Sequence, residues 1–162
     1  MLVTSNVVRF RQLAIVAAVG FLSCAQSLPD HAKVLRVIDG DTIELADGRL
    51  VRYIGIDTPE FRRREGSRWV VDPEPFSREA MQANQRLVGG KTVRLEYDVE
   101  IADRHGRLLA YVYVDGTMVN AKLLEEGYAH LLTIPPDVKY AARFRQVAQD
   151  ARTHKRGLWA AR

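Results

Sequence analysis

The feature that most constrains this chain is a run of short β-rich segments punctuated by Asp-Gly pairs. Residues 33–39 (KVLRVID) end at Asp39-Gly40, residues 42–46 (TIELA) end at Asp47-Gly48, and residues 49–56 (RLVRYIGI) follow at once. Asp-Gly between β-forming stretches is a turn signal, because glycine accepts the positive φ that a tight hairpin needs. Three such strands in succession make an antiparallel meander. Thr58-Pro59 stops the third, since proline cannot donate to a ladder. Two further strands read out at 92–97 (TVRLEY) and 108–114 (LLAYVYV), with Asp103-Arg104-His105-Gly106-Arg107 as the turn between them.

Helical signals lie between and after these strands. Residues 75–88 read as a helix with Ser77 as N-cap and Gly89-Gly90 as the stop. Residues 120–126 form a short helix ended by Gly127. Beyond Pro135-Pro136, residues 137–153 form a longer helix whose core face is Phe144, Val147, Ala148 and Ala151. Residues 61–74 show no period. They hold Arg62, Arg63, Arg64, Arg68 and Trp69, and read as a mobile basic loop. Strict βαβ alternation is absent, which excludes a doubly wound sheet. The expected fold is mainly β with α, a five-stranded OB-fold barrel with about three helices.

The chain has 162 residues, enough for one domain with its own core. A single cysteine excludes a disulfide scaffold, and 27% charged residues with 47% hydrophobic ones exclude a disordered chain. Lys and Arg outnumber Asp and Glu by 24 to 20, a balance compatible with an anionic partner. Much of that excess sits at the start. Residues 1–29 lack any acid, and Arg9 and Arg11 precede an apolar run at 13–23 that is too short to span a bilayer. This reads as an export signal over 1–25 with Ser23-Cys24-Ala25 at the cleavage point, a linker over 26–32, and a folded domain over 33–160. Phe21-Leu22-Ser23-Cys24 also loosely matches a lipobox, so anchoring through a lipidated Cys24, or through an uncleaved signal, stays open beside secretion or periplasmic release. Once exported, the chain is expected to be a monomer.

Strand parity points to a site. Asp41 shares the parity of Ile43 and Leu45, and Arg52 that of Ile54 and Ile56. Asp57 follows the third strand and Glu60 lies three residues on. One meander thus delivers Asp41, Arg52, Asp57 and Glu60 to a small region. Oxygen donors of this kind suit Ca²⁺ or Mg²⁺ better than zinc, and the histidines show no metal-ligand spacing. Taken singly, Asp41 also suits a turn or cap, Arg52 an interior ion pair, Arg107 a solvated hairpin charge, and Asp39-Gly40 simple turn chemistry.

Three ordered motifs bear a more specific resemblance. Ile38-Asp39-Gly40-Asp41-Thr42, then Arg52 leading to Ile56-Asp57-Thr58-Pro59-Glu60, then the segment 103–111 (DRHGRLLAY) resemble the staphylococcal nuclease, or thermonuclease, family. The likeness runs from Lys33 to Trp159, through Met118-Val119-Asn120 and Gly157-Leu158-Trp159. It implies an OB-fold enzyme that cleaves DNA and RNA with Ca²⁺ (Mg²⁺ or Mn²⁺ as alternatives) and leaves 3′-phosphate ends. Carried over by motif position, Asp41 and Asp57 would be carboxylate ligands and Thr58 a carbonyl ligand. Glu60 would position or deprotonate water, and Arg52 and Arg107 would hold the phosphate. Apart from the resemblance, Arg62, Arg63, Arg64 and Arg68 form a positive patch that suits either capture of nucleic-acid backbone or a solvated loop. His105 stands where that family stacks a tyrosine on the base, and Trp69 either substitutes for it from the loop or packs the loop itself. Three other readings compete: a catalytically silent nucleic-acid-binding module, an envelope structural protein, and a phosphodiesterase for small nucleotides.

Overall fold

Alternating apolar side chains close the sheet into a barrel. The computed structural model describes residues 27–160, so the expected export signal over 1–25, with Cys24, lies outside the described residues. The elements are β1 (His31–Val37), β2 (Thr42–Leu45), β3 (Leu50–Tyr53), β4 (Ile56–Asp57), β5 (Arg62–Glu65), β6 (Arg68–Val71), α1 (Ser77–Val88), β7 (Thr92–Glu96), β8 (Leu108–Val114), β9 (Thr117–Met118), α2 (Val119–Glu125), β10 (His130–Leu131) and α3 (Ala141–Thr153), with a 3₁₀ turn at Gly157–Trp159. The main sheet runs β3-β2-β1-β7-β8-β9, and a parallel β3–β8 pairing closes it. Strands β1, β2, β3, β7 and β8 are therefore the five staves of the expected barrel.

A bulge makes the closure possible. The first part of β1 pairs with β7 (Lys33 opposite Thr92), and the rest pairs with β2 (Val34 opposite Leu45, Arg36 opposite Glu44). The register slips at Leu35, which is left unpaired and 59% exposed. An extra residue of this kind bends a strand and lets it serve two faces. Inside, Val34, Ile43, Leu45, Val51, Tyr53, Val93, Leu95, Ala110 and Val112 are buried. Phe144, Ala148 and Ala151 of α3 cover the core, with Val147 at its edge, as the helical spacing predicts.

Four expectations need correction. The third strand is not continuous: it stops at Tyr53 and resumes as β4, because Gly55 takes φ 84° and a β-carbon there would lie 2.5 Å from the Phe144 ring. Parity counted from Arg52 to Ile56 therefore fails. Within β3 it is Val51 and Tyr53 that enter the core, while Arg52 lies opposite Thr42 on the outer side. The basic loop is largely a hairpin, β5 against β6, with Arg62 opposite Val71 and Gly66-Ser67 at the turn. Ser77 is the first helical residue rather than the cap. Phe76 caps α1, and the Ser77 hydroxyl donates to the Glu74 carbonyl at 2.7 Å. The last helix starts at Ala141 rather than Asp137, whose backbone bridges Ile134 and whose carboxylate accepts from the Glu100 N–H at 2.9 Å.

Candidate active site

The site grows from the corner where β2 begins. Asp39, Gly40 and Asp41 bring the chain from β1 into β2, and three contacts fix this corner. The Asp41 N–H donates to Asp39 Oδ1 at 3.1 Å. Asn84 of α1 donates to the Asp39 carbonyl at 3.0 Å and accepts from the buried Tyr53 hydroxyl at 2.9 Å. Gly40 lies so close to Thr58 that a β-carbon would fall 2.6 Å from the threonine hydroxyl. Gly40 is thus needed for a close approach, not for turn chemistry, since its φ is not positive.

Asp41 is fully buried. Its Oδ2 accepts from the Thr58 N–H at 2.8 Å, and its Oδ1 accepts from Arg52 Nη1 and from the Thr42 hydroxyl. Arg52 turns its other nitrogen, Nη2, to Asp57 Oδ1. One guanidinium therefore bridges two carboxylates that lie 16 residues apart in sequence. The side chain of Arg52 is 13% exposed and that of Asp57 is 48% exposed, so the bridge runs from the interior to the surface. Burial drives the Asp41 carboxyl well above the usual carboxylate range, and its charge depends on the guanidinium beside it. Burial alone would weaken the Arg52 proton, but Asp41 and then Asp57 outweigh it and hold the group above its ordinary value.

Arg107 approaches from another direction. It closes the turn before β8, where Asp103 accepts from its N–H at 3.0 Å and from its Nε at 2.8 Å. Two clefts meet at this arginine. One, of about 270 Å³, is shared by Arg52, Arg107, Leu109, Leu132 and Ile134. The other, of about 300 Å³, is shared by Arg107, Asp39, Glu60, Phe61 and Arg62. Glu60 is exposed to solvent. Desolvation of its carboxyl, then the nearby Asp39 charge, push its pKa upward. Backbone N–H groups tie Glu60 and Glu74 together at 3.0 and 2.9 Å, which pins the base of the β5–β6 hairpin beside the second cleft.

The structure joins Asp41, Arg52, Asp57 and Thr58 by hydrogen bonds and ion pairs, puts Arg52 and Arg107 on one cleft, and puts Glu60 and Arg107 on the other. It leaves other candidates at the margin. Arg62 lines the second cleft, whereas Arg68 lies exposed toward the hairpin tip. The side chains of Arg63, Arg64 and Trp69 lie outside what the structure describes. His105 is exposed beyond Arg107, with its N–H donating to Asp103 Oδ1 at 2.9 Å. Asp39, Asn84 and Asp103 are the positioning residues that spacing alone does not single out. Asp103 stands in the 103–107 turn that the sequence shows, but its bond to Arg107 does not follow from spacing, and Asn84 carries no local signal.

Among the described residues, no three Asp, Glu, His or Cys side chains converge as a metal cluster. The donors on the Asp41–Asp57 wall are nevertheless all oxygen, two carboxylates and the backbone of Thr58. That chemistry fits a hard divalent cation such as Ca²⁺ rather than zinc.

A closed OB-type barrel carries two acids bridged by one arginine, with a second arginine and a glutamate at adjoining clefts. Comparison with known proteins narrows the class. The family model described as staphylococcal nuclease homologue matches residues 50–161. A thermonuclease of Staphylococcus hyicus is 40% identical over 130 residues, covering 78% of this chain and 74% of the relative. The endonuclease YncB of Bacillus subtilis is 39% identical over 129 residues, covering 76% of this chain and 59% of that protein. An uncharacterized endonuclease of Escherichia coli O157:H7 is 36% identical over 137 residues, covering 80% and 76%. The chain belongs to the staphylococcal nuclease family.

Proposed function

We propose that this nuclease is an exported enzyme that hydrolyses phosphodiester bonds of DNA and RNA with little sequence specificity, uses Ca²⁺, and leaves 3′-phosphate ends. The observation that carries the reading is the Asp41–Arg52–Asp57 bridge set against the clefts of Arg107 and Glu60. The relatives' names supply the substrate class, and the site supplies chemistry that suits it.

A phosphodiester is anionic and repels a nucleophile. Asp41, Asp57 and the Thr58 carbonyl would hold the cation, which when bound neutralises a phosphate oxygen and orients the ester. Arg52 cannot swing freely, because both its terminal nitrogens are held by carboxylates, so it meets the phosphate as a fixed positive charge. Arg107 is braced instead through its Nε by Asp103 of its own turn, and its side chain lines both clefts. Guanidinium groups keep their charge and match phosphate oxygens geometrically. Glu60, with its raised pKa, accepts the proton of an attacking water. The water oxygen bonds to phosphorus, the bond from phosphorus to the 5′-oxygen breaks, and that oxygen is protonated from solvent. Arg62 extends the positive surface along the hairpin, and with Arg63, Arg64 and Arg68 it draws in the strand at low salt.

The test incubates the mature protein with plasmid, single-stranded DNA and RNA, in Ca²⁺ and in chelator, and analyses the ends formed. Cleavage in Ca²⁺ alone, yielding 3′-phosphates, supports the reading. Tight binding with no cleavage would make the protein a binding module, and turnover restricted to a small diester would make it a nucleotide phosphodiesterase. Mass spectrometry of the mature N-terminus tests export and the fate of Cys24.

A further inference from the structure

The fold places a second cationic feature beside Asp57 that the site above does not use. Strand β10 pairs with β4, and His130 lies directly opposite Asp57. Cross-strand partners in an antiparallel pair present their side chains on the same face, about 4.5–5.5 Å apart at the β-carbons. His130 in turn meets Trp159 edge to face, with ring centroids 5.2 Å apart. The guanidinium of Arg152, from the last turn of α3, sits 4.5 Å over the Trp159 ring. His130, Arg152, Lys155 and Trp159 line one open cleft. Arg152 and Lys155 are exposed and have no acidic partner among the described residues. Arg156, by contrast, is taken up by Asp150 at 3.0 Å and by the Glu125 carbonyl at 3.1 Å, and His154 also faces Asp150.

Two cations interleaved with two aromatic rings are the chemistry of single-stranded nucleic-acid binding: charge follows the phosphates and ring faces accept bases of any sequence. An anionic membrane would want the cations but gives the tryptophan–histidine pair no role beside Asp57. We propose that the cleft of His130, Arg152, Lys155 and Trp159 continues the substrate track, holding single-stranded polynucleotide beyond the scissile bond. The proposal rests on the nuclease reading of the Asp57 site and adds a reason for preferring long strands to small diesters.

The test measures binding of fluorescent oligothymidylates in chelator, where strands stay intact, to wild type and to an Arg152→Gln, Lys155→Gln double variant. A dinucleotide and a strand of roughly twelve residues serve as probes. The long strand should bind the double variant about tenfold or more weakly. The slope of log affinity against log salt should flatten by roughly 1.4, about 0.7 for each cation removed. Dinucleotide binding should be unchanged, and Arg152→Lys should keep most of the slope, which separates charge from packing over Trp159. Equal long-strand affinity and slope in the two proteins, or an equal loss for the dinucleotide, overturns the proposal. So does charge-dependent binding to vesicles of anionic lipid with no dependence on strand length. Length-dependent binding beside an absence of cleavage in Ca²⁺ would leave this cleft standing and remove the hydrolytic reading instead.

Discussion

Arg52 and Arg107 line the same cleft, yet the chain holds them in opposite ways. Arg52 stands in the barrel wall, and its partners come from the β1–β2 corner and from β4. Its position exists only when three separate pieces of the fold are assembled. Arg107 is braced by Asp103, four residues earlier in its own turn. The first arginine therefore serves the fold and the site together, and the second serves the site through a local device. Loss of stability and loss of turnover should separate along that line.

The largest effect falls on Arg52. Arg52→Ala leaves Asp41 buried without its counter-charge, and breaking such a pair costs about 3–5 kcal/mol. Urea unfolding should show that loss, together with a fall in turnover of about 10²–10³ for a missing phosphate donor. Arg107→Ala should lose turnover on a similar scale of about 10²–10³, with unfolding free energy changed by less than about 1 kcal/mol. If Arg107→Ala unfolds as easily as Arg52→Ala, the contrast is wrong. Asp103→Asn sharpens it. That change keeps the shape of the turn but removes the charge bracing Arg107, so turnover should drop about tenfold with stability altered by under about 1 kcal/mol.

What the sequence made legible follows the same division. The strands bounded by Asp-Gly pairs, the apolar face of α3 and the Asp103–Arg107 turn all rest on neighbours close in the chain, and all could be read. Gly40 looked like a turn residue because its true reason, the side chain of Thr58, arrives from 18 residues away. Asn84 gave no signal because its partners, the Tyr53 hydroxyl and the Asp39 carbonyl, belong to other elements. The β5–β6 hairpin carries little sequence signal because arginines interrupt any apolar alternation, and only Gly66-Ser67 marks its turn. Parity along residues 50–56 does not explain the place of Arg52, since the strand breaks before Gly55; the carboxylates of Asp41 and Asp57 fix it instead.

The smallest predicted effect serves as a control away from the site. Burial would raise Glu96, but hydrogen bonds from Lys139, Tyr140 and Arg94 outweigh it and hold its pKa at about 2, against an ordinary 4.5. A lowered carboxyl contributes stability that is present above the unfolded value and fades as pH falls through the folded one. Glu96→Gln should therefore cost about 1 kcal/mol near neutral pH. The difference from wild type should shrink below pH 4.5 and be mostly gone once the pH falls through 2, with no change in turnover. A Glu96→Gln penalty as large at pH 2 as at neutral pH would show that the network acts through packing.

The central claim is that Glu60, Arg52 and Arg107 act on one phosphate. Single-turnover cleavage of an end-labelled single strand by Glu60→Gln tests it most directly. The account predicts a rate lower by about 10²–10⁴ with strand affinity unchanged. A Glu60→Gln protein that cleaves at the wild-type rate would contradict it.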